Sequence, residues 1–315
     1  MLCRDEFIHL LNHICFFFKS YPNLTVIIAC LFWGTYWIPL RYIDNHNNAS
    51  VWPLFLSFLF LALVLVKPLI KSIRDVFTNK NYFFLAGCFF AALGISLYSE
   101  SLLRGEIAKV VVLFYLCPIW GTIFARFILN HSFTIKRIFS IILGIIGLEI
   151  IVGFDKGIIL PSTTVEWIAL LAGLMWAMSM TLFNLANTTS GFEKTSLTAF
   201  LIPFIYLFLC FIPGGRNVVM PDNLLSIHPI YIWMILFAII WLLPSILLTY
   251  FSVEVLDPGR INILLAFEVA IGFLSSALLT NEIIGFREYI GAIFVVSACF
   301  VDVFTWKKFN VYFSK

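Results

Sequence analysis

Apolar residues fall in long blocks along this chain, separated by short polar stretches. Ten blocks, at 22–43, 51–70, 82–103, 107–129, 136–154, 164–186, 197–213, 229–251, 260–280 and 286–306, approach the length of a spanning helix. Such a helix needs about 20 mostly apolar residues to cross the hydrocarbon of a bilayer. The punctuation between blocks is made of turn formers: DNHNN at 44–48, TNKN at 78–81, NTTSG at 187–191 and PGGRN at 213–217. The pattern predicts an all-α integral membrane protein of ten transmembrane helices joined by short loops. The first 21 residues, MLCRDEFIHLLNHICFFFKSY, mix charges and histidines into a short apolar run. No small-residue cleavage site follows, so this segment is expected to be a retained interfacial helix and not a signal peptide.

Composition agrees. Hydrophobic residues make up 62% of the 315, charged residues 12%, and the mean hydropathy is +1.01. A soluble domain carries about 45–50% apolar and about 25% charged residues. The net charge of +3 is small, and no basic surface interleaved with aromatics is present to suit nucleic acid. Seven cysteines, an odd count with no CxxC pair, argue against a disulfide framework or a zinc site. His9 and His13 share a helix face, but neither has carboxylate or cysteine company. No metal and no cofactor are therefore expected. With the N-terminus placed in the cytoplasm, fourteen of the twenty Lys and Arg residues fall on the cytoplasmic side and six on the other. The positive-inside rule then puts both termini inside.

An internal repeat carries more information than any single motif. Shifted by 151 positions, YSESLLRGEIAKVVVLFYLCP (Tyr98–Pro118) lies over TYFSVEVLDPGRINILLAFEV (Thr249–Val269). Ser101 falls on Ser252, Glu106 on Asp257, Lys109 on Arg260, Leu113 on Leu264 and Cys117 on Glu268. LFWGTYW (Leu31–Trp37) pairs with LMWAMSM (Leu174–Met180), and Trp52-Pro53 with Ile202-Pro203, at slightly different shifts. The chain then divides into a first five-helix copy at 22–154 and a second at 155–315. Five is an odd number, so the copies insert in opposite senses, an arrangement typical of secondary transporters.

Glu268 is the polar residue that most needs an explanation. It lies eight residues into its helix, roughly 12 Å deep at 1.5 Å per residue. A charge at that depth costs about 2.5–3.5 kcal/mol on insertion scales. Gly272 and Ser275 share its face, with Ser276 beside them. It reads either as a substrate or proton site, or as a structural glutamate between packed helices. A neighbouring hydroxyl such as that of Tyr115 is one candidate to answer its charge. Lys109 and Arg260, repeat mates at the first turns of helices four and nine, would stand one at each mouth. They attract anionic solutes there or simply snorkel to the interface. Trp33, Tyr36, Trp37, Tyr98, Tyr115 and Trp176 are candidates to line a cavity, with Asn262 among the polar groups on the same helices. Glu149 and Asp302 lie near helix ends, within reach of water.

These features resemble the drug/metabolite transporter superfamily, in particular its EamA-type ten-helix members. The residues that carry the resemblance are Trp33-Gly34, Trp176-Ala177, Pro118, Glu268, Glu282 and Gly291, so the second half carries more of the pattern. Departures are Val269 where the family has proline, His131 for a loop glutamate and Ser140 for a glycine, with Gly147 kept. The resemblance implies a cavity between helices one, three, four, six, eight and nine, alternating access, and movement of helices two and seven. It also implies a bacterial inner (cytoplasmic) membrane.

The leading expectation is a secondary transporter, exporter or exchanger, of a small polar or amphipathic solute, amino-acid-like first. Protons or the solute's own gradient would drive it, because no GxxxxGK[ST] motif is present for ATP. Partners are a small-molecule solute and the lipid bilayer, with monomer and homo-oligomer both open. An intramembrane lipid or glycosyl transferase is the alternative, but no nucleophile or metal constellation supports an enzyme. A membrane scaffold is a third reading, and it has no use for an inverted repeat.

Overall fold

The computed structural model describes residues 17–46, 51–105, 107–132, 134–152, 161, 163–186, 188–209, 229–279 and 286–304. The expected interfacial helix before residue 17, Glu106 and Glu282 lie outside the described residues. All regular structure among the described residues is helical: α1 (Pro22–Gly34), α2 (Trp37–Asn45), α3 (Trp52–Val64), α4 (Val66–Asn79), α5 (Tyr82–Arg104), α6 (Ile107–Phe114), α7 (Cys117–Leu129), α8 (Ile135–Val152), α9 (Thr164–Leu185), α10 (Gly191–Leu209), α11 (Pro229–Leu236), a π-helical turn (Phe237–Leu242), α12 (Leu243–Val253), α13 (Pro258–Leu265), α14 (Phe267–Leu279) and α15 (Phe286–Phe304). Five of these units are long and apolar enough to cross a membrane: Pro22–Asn45, Tyr82–Arg104, Thr164–Leu185, Gly191–Leu209 and Ile230–Val253.

The helix starts are written in short polar signals. Asn81 caps α5 by accepting from the Phe84 N–H at 3.3 Å, and Thr163 caps α9 through the Glu166 N–H at 3.3 Å. Asp257 caps α13 by accepting from the Arg260 N–H at 3.1 Å, with Pro258 in the first turn where a missing N–H does no harm. Ser190 and Glu193 form a reciprocal capping box at the start of α10. Each bond answers an N–H that the helix itself leaves unpaired.

Several apolar blocks fold as two pieces. The block expected as one helix over 51–70 turns by 85° between α3 and α4. Leu65 leaves helical geometry there (φ −96°, ψ 28°), and Pro68 has no N–H to give the Val64 carbonyl. Beyond the bend α4 is amphipathic. It buries Leu69, Ser72 and Val76, leaves Ile70 and Phe77 exposed, and carries Lys67, Lys71 and Arg74. Lys71 pairs with Glu193 at 2.5 Å, and that hydrogen bond and charge raise the pKa of the Lys71 ammonium. Fourth and ninth blocks break near their centres, at Tyr115–Leu116 and at Ala266. Pro118 explains the first break, because it cannot donate to the carbonyl of Phe114. The second has no proline, and its backbone tightens to three-residue spacing, with Ala266 N–H to Ile263 O at 3.2 Å and Val269 N–H to Ala266 O at 3.1 Å.

Packing is organised around α5 and α9, which lie along each other, and α1, which lies against α12 and α14. Further pairs are α8 with α15, α3 with α10, and α7 with both α9 and α13. Two glycines allow close crossings beside the breaks. A Cβ on Gly34 would lie 2.7 Å from the Ile271 Cβ and 2.8 Å from the Glu268 carbonyl. A Cβ on Gly173 would collide with the carbonyl oxygen of Phe114. One face of the bundle is tied by Lys19–Glu254 at 2.7 Å, Lys71–Glu193 and Arg137–Asp257 at 2.8 Å. We refer to this as the Lys19 face. At the far end of α2, Arg41 donates to the carbonyls of Leu102 (3.1 Å) and Gly105 (3.3 Å).

Gly173→Ala is expected to destabilise the protein by about 1–3 kcal/mol, the usual cost of overpacking against groups that cannot yield. Gly144→Ala serves as the control, because its Cβ would meet only the Ala298 Cβ at an ordinary 3.7 Å. Thermal unfolding in detergent separates them, and equal behaviour of the two variants would remove the close crossing as a constraint.

Candidate functional site

Glu268 sits in the first turn of α14, immediately after the break at Ala266, and is 5% exposed. The Tyr98 hydroxyl, from the middle of α5, donates to its Oε1 at 3.1 Å. The Tyr115 hydroxyl, from the break between α6 and α7, donates to its Oε2 in a short hydrogen bond. Each carboxylate oxygen thus accepts one phenol and keeps capacity for another donor. The position at a helix start adds the favourable end of the α14 dipole.

Around this carboxylate the walls are aromatic. Trp33, Ile95, Tyr98, Phe114, Tyr115, Trp176, Leu265 and Glu268 line one cavity. Its free volume is about 10 Å³, the room one water molecule needs. The rings are held by specific contacts. Tyr98 stacks on Phe114 at 4.2 Å between centroids, and Trp33 meets Trp176 edge-on at 5.8 Å. The Trp33 indole N–H is engaged, donating to the Ser245 carbonyl at 3.1 Å and the Thr249 hydroxyl at 3.2 Å. By contrast, the Trp176 Nε1 is buried and makes no hydrogen bond among the described residues. The cavity therefore has an anionic acceptor set between flat apolar faces, and one of its lining residues, Trp176, carries an unpaired donor. This set suits a small solute with a cationic head, a hydrogen-bond acceptor and an apolar body.

Residues 21–153 match the EamA-like transporter family. That family is part of the drug/metabolite transporter superfamily, so the resemblance read from the sequence is borne out. The match falls on the first half, although the motif comparison finds more of the pattern in the second. Among curated proteins no match was found. A solved structure described only as "Crystal structure of protein" has a TM-score of 0.64 to this chain, with 12% identity over 91% of this chain and 97% of its own. At that identity the likeness concerns the fold alone.

The EamA-like half supplies Trp33, Tyr98, Phe114 and Tyr115 to the cavity, and the rest of the chain supplies Trp176, Leu265 and Glu268. Of the ten residues singled out from the sequence, Trp33, Tyr98, Tyr115, Trp176 and Glu268 thus meet in one place. Tyr36 stands behind them, its hydroxyl 2.8 Å from Ser99 Oγ and its ring 5.4 Å from that of Trp33. Trp37 is half-buried and donates to Ser275 Oγ at 3.1 Å. Asn262 is fully buried against Gly121, and neither end of its amide has a partner among the described residues. Arg260 is 1% exposed, with its Nε donating to Asn23 Oδ1 at 3.0 Å, so it is held by protein rather than extended to an interface. Lys109 lies in α6, and its side chain is outside the described residues. Phe114 and Leu265 were not among the sequence candidates. They fall on each other at the same shift of 151 that pairs Cys117 with Glu268, so that alignment held the signal.

Tyr115→Phe is expected to cost about 1.5–3 kcal/mol of stability, the range for losing a hydrogen bond to a charged group. In a Glu268→Gln background the same change is expected to cost much less, because the charged acceptor is gone. Thermal unfolding of the four proteins in the cycle measures the coupling, and an unchanged cost would mean that the phenol does not serve the carboxylate.

Proposed function

We propose that this chain is a secondary transporter of a small amphipathic metabolite bearing an amine, amino-acid-like in kind, working by alternating access. The observation that carries the reading is the pairing of the Glu268 carboxylate with the unpaired Trp176 N–H across an aromatic cavity. Glu268 takes the ammonium of the solute, Trp176 donates to its carboxylate or carbonyl, and the rings hold its side chain. The solute or a proton neutralises Glu268 as the site passes between faces, so either a proton gradient or solute exchange drives the cycle.

In this reading ten segments span the membrane as two inverted halves, 22–154 and 155–315. The paired breaks support it: α6 and α7 part at Tyr115–Leu116, and α13 and α14 part at Ala266, its repeat mate. Packing supports it too. Helix one lies on helix eight (α1 on α12) as helix six lies on helix three (α9 on α5). Helices two and seven, four and nine, and five and ten pair with each other, as a two-fold exchange of halves requires. The orientation is that of a bacterial inner membrane protein with both termini cytoplasmic, which turns the Lys19 face inward. The cavity, at about 10 Å³, is then an occluded form that must open to admit solute. The π-helical turn Phe237–Leu242 and the three helix breaks supply the places where helices bend without losing their whole hydrogen-bond ladder.

Glu268→Gln, reconstituted in proteoliposomes, is expected to lower flux of an amine-bearing solute at least about tenfold, since losing one partner of a buried charge pair costs 2–5 kcal/mol or more. Its residual flux is expected not to respond to an imposed pH gradient. Native-like flux with an intact response in this variant would sink the assignment of Glu268 as the binding and coupling group.

A further inference from the structure

Lys194 is a buried cation that the cavity does not use. The sequence places it in a polar segment between two apolar blocks, where a lysine ordinarily reaches water. In the structure it sits in the first turn of α10 and is 0% exposed. Its Nζ makes no hydrogen bond among the described residues and stands 5.6 Å from the centroid of the Phe183 ring. The acids closest to it in charge are already engaged. Glu254 accepts from the Gly191 N–H at 2.5 Å and pairs with Lys19 at 2.7 Å, while Glu193 pairs with Lys71 and caps α10. A buried ammonium without a partner is unfavourable, and a group that brings it a negative charge relieves that cost.

The position of Lys194 relates it to the cavity. From Trp176, which lines the cavity, a column of rings runs toward the Lys19 face. Trp176 stacks with Tyr250 at 6.3 Å, Tyr250 meets Phe183 edge-on at 5.0 Å, and Phe183 lies under Lys194. Along α9, Phe183 is seven residues from Trp176, about 10 Å at 1.5 Å per residue. The Tyr250 hydroxyl bonds Thr198 Oγ1 at 3.4 Å, four residues beyond Lys194 in α10. Lys194 rides at the base of α10, whose interior Pro203 weakens its ladder at mid-length.

We propose that Lys194 is an anion-receiving station between the Glu268 cavity and the Lys19 face, which takes the carboxylate of the solute as it enters or leaves. This rests on the transport reading above and adds to it a second recognition point of opposite sign. The carboxylate of an amino-acid-like solute meets the ammonium of Lys194, its side chain slides along Phe183 and Tyr250, and its own ammonium meets Glu268. An amine without a carboxylate has no use for the station.

The test uses Lys194→Met and Lys194→Arg in the full chain. Removal of a lone buried charge leaves Lys194→Met folded, with a melting temperature no lower than native. In detergent, phenylacetate is the probe for the carboxylate alone. It is expected to raise the melting temperature of the native protein and of Lys194→Arg by at least about 2 °C, and not that of Lys194→Met. In proteoliposomes, Lys194→Met is expected to lose phenylalanine flux at least about tenfold while 2-phenylethylamine flux stays within about twofold; a tenfold change corresponds to one strong charge-assisted contact. No phenylacetate shift in the native protein, or a shift kept in Lys194→Met, overturns the station. So does an equal loss of both fluxes. Absence of any flux in the native protein, with the phenylacetate shift intact, instead counts against the transport reading and leaves the anion site standing.

Discussion

A carboxylate buried among apolar helices must be answered by other groups, and the centre of this fold is arranged to answer one, Glu268. Insertion of such a charge costs about 2.5–3.5 kcal/mol, and two hydrogen bonds to it return about 1.5–3 kcal/mol each. Tyr98 and Tyr115 provide those two bonds, one to each oxygen of Glu268. They come from different helices, so the bonds fix the relative placement of α5, α14 and the break between α6 and α7. The neighbouring contacts follow from that placement. Phe114 packs on Tyr98, Gly173 lets α9 pass over the Phe114 carbonyl, and Gly34 lets α1 pass over the carbonyl of Glu268 itself.

The same arrangement explains why helices are broken where they are. An unbroken fourth helix would carry Tyr115 past the carboxylate with its backbone closed. Breaking at Tyr115 opens the helix beside Glu268, and breaking at Ala266 sets Glu268 at the start of a new helix, where backbone N–H groups favour negative charge. Backbone left open inside a membrane is tolerated only where protein or a cavity covers it. Both breaks meet that condition, since Tyr115 and Leu265 line the cavity. At the shift of 151 positions the two sites fall on each other, yet only one carries a carboxylate, because Cys117 falls on Glu268. In the transport reading, a doubled scaffold supplies two equivalent ways to open, and a single charge supplies one place to bind.

Much of this was legible in the sequence because lipid leaves few choices. Apolar blocks near 20 residues must be helical, and the structure puts helices over the blocks. Glu268 stood out because its charge had no reason to be there, and Tyr115 was already a candidate partner. The bend at Leu65 was hidden because Leu65 and Val66 extend an apolar block while Pro68 reads equally well as a kink. The break at Ala266 was hidden for a different reason: its mate breaks before a proline, but Val269 leaves no such mark. The burial of Lys194 was hidden because a lysine beside an apolar block reads the same whether it reaches water or turns inward. Only the tertiary neighbours, Phe183 and Tyr250, distinguish the two. Arg260 shows the same ambiguity, since Asn23 comes from a helix start 237 positions away in the chain.

Placing opposite charges at different depths has a consequence for how a zwitterion would cross. If Glu268 and Lys194 stood in contact, they would neutralise each other and offer nothing to a solute. Separated by the rings of Trp176, Tyr250 and Phe183, each keeps its own sign. In the proposed path, a solute with both charges passes between them without exposing either charge to hydrocarbon alone. The aromatic column suits that passage because ring faces accept a cation and an apolar side chain alike. Rings in and beside it are held from behind, Trp33 by Ser245 and Thr249, Tyr250 by Thr198. The ion pairs of the Lys19 face lie outside this column; Lys19 and Lys71 reach water, while Glu193, Arg137 and Asp257 are largely covered. The one nearest to a surface pair, Lys19–Glu254, is worth about 0–1 kcal/mol. In the transport reading, two desolvated bonds hold the Glu268 carboxylate at the centre, and Lys19–Glu254 is the weaker tie that an inward opening would part.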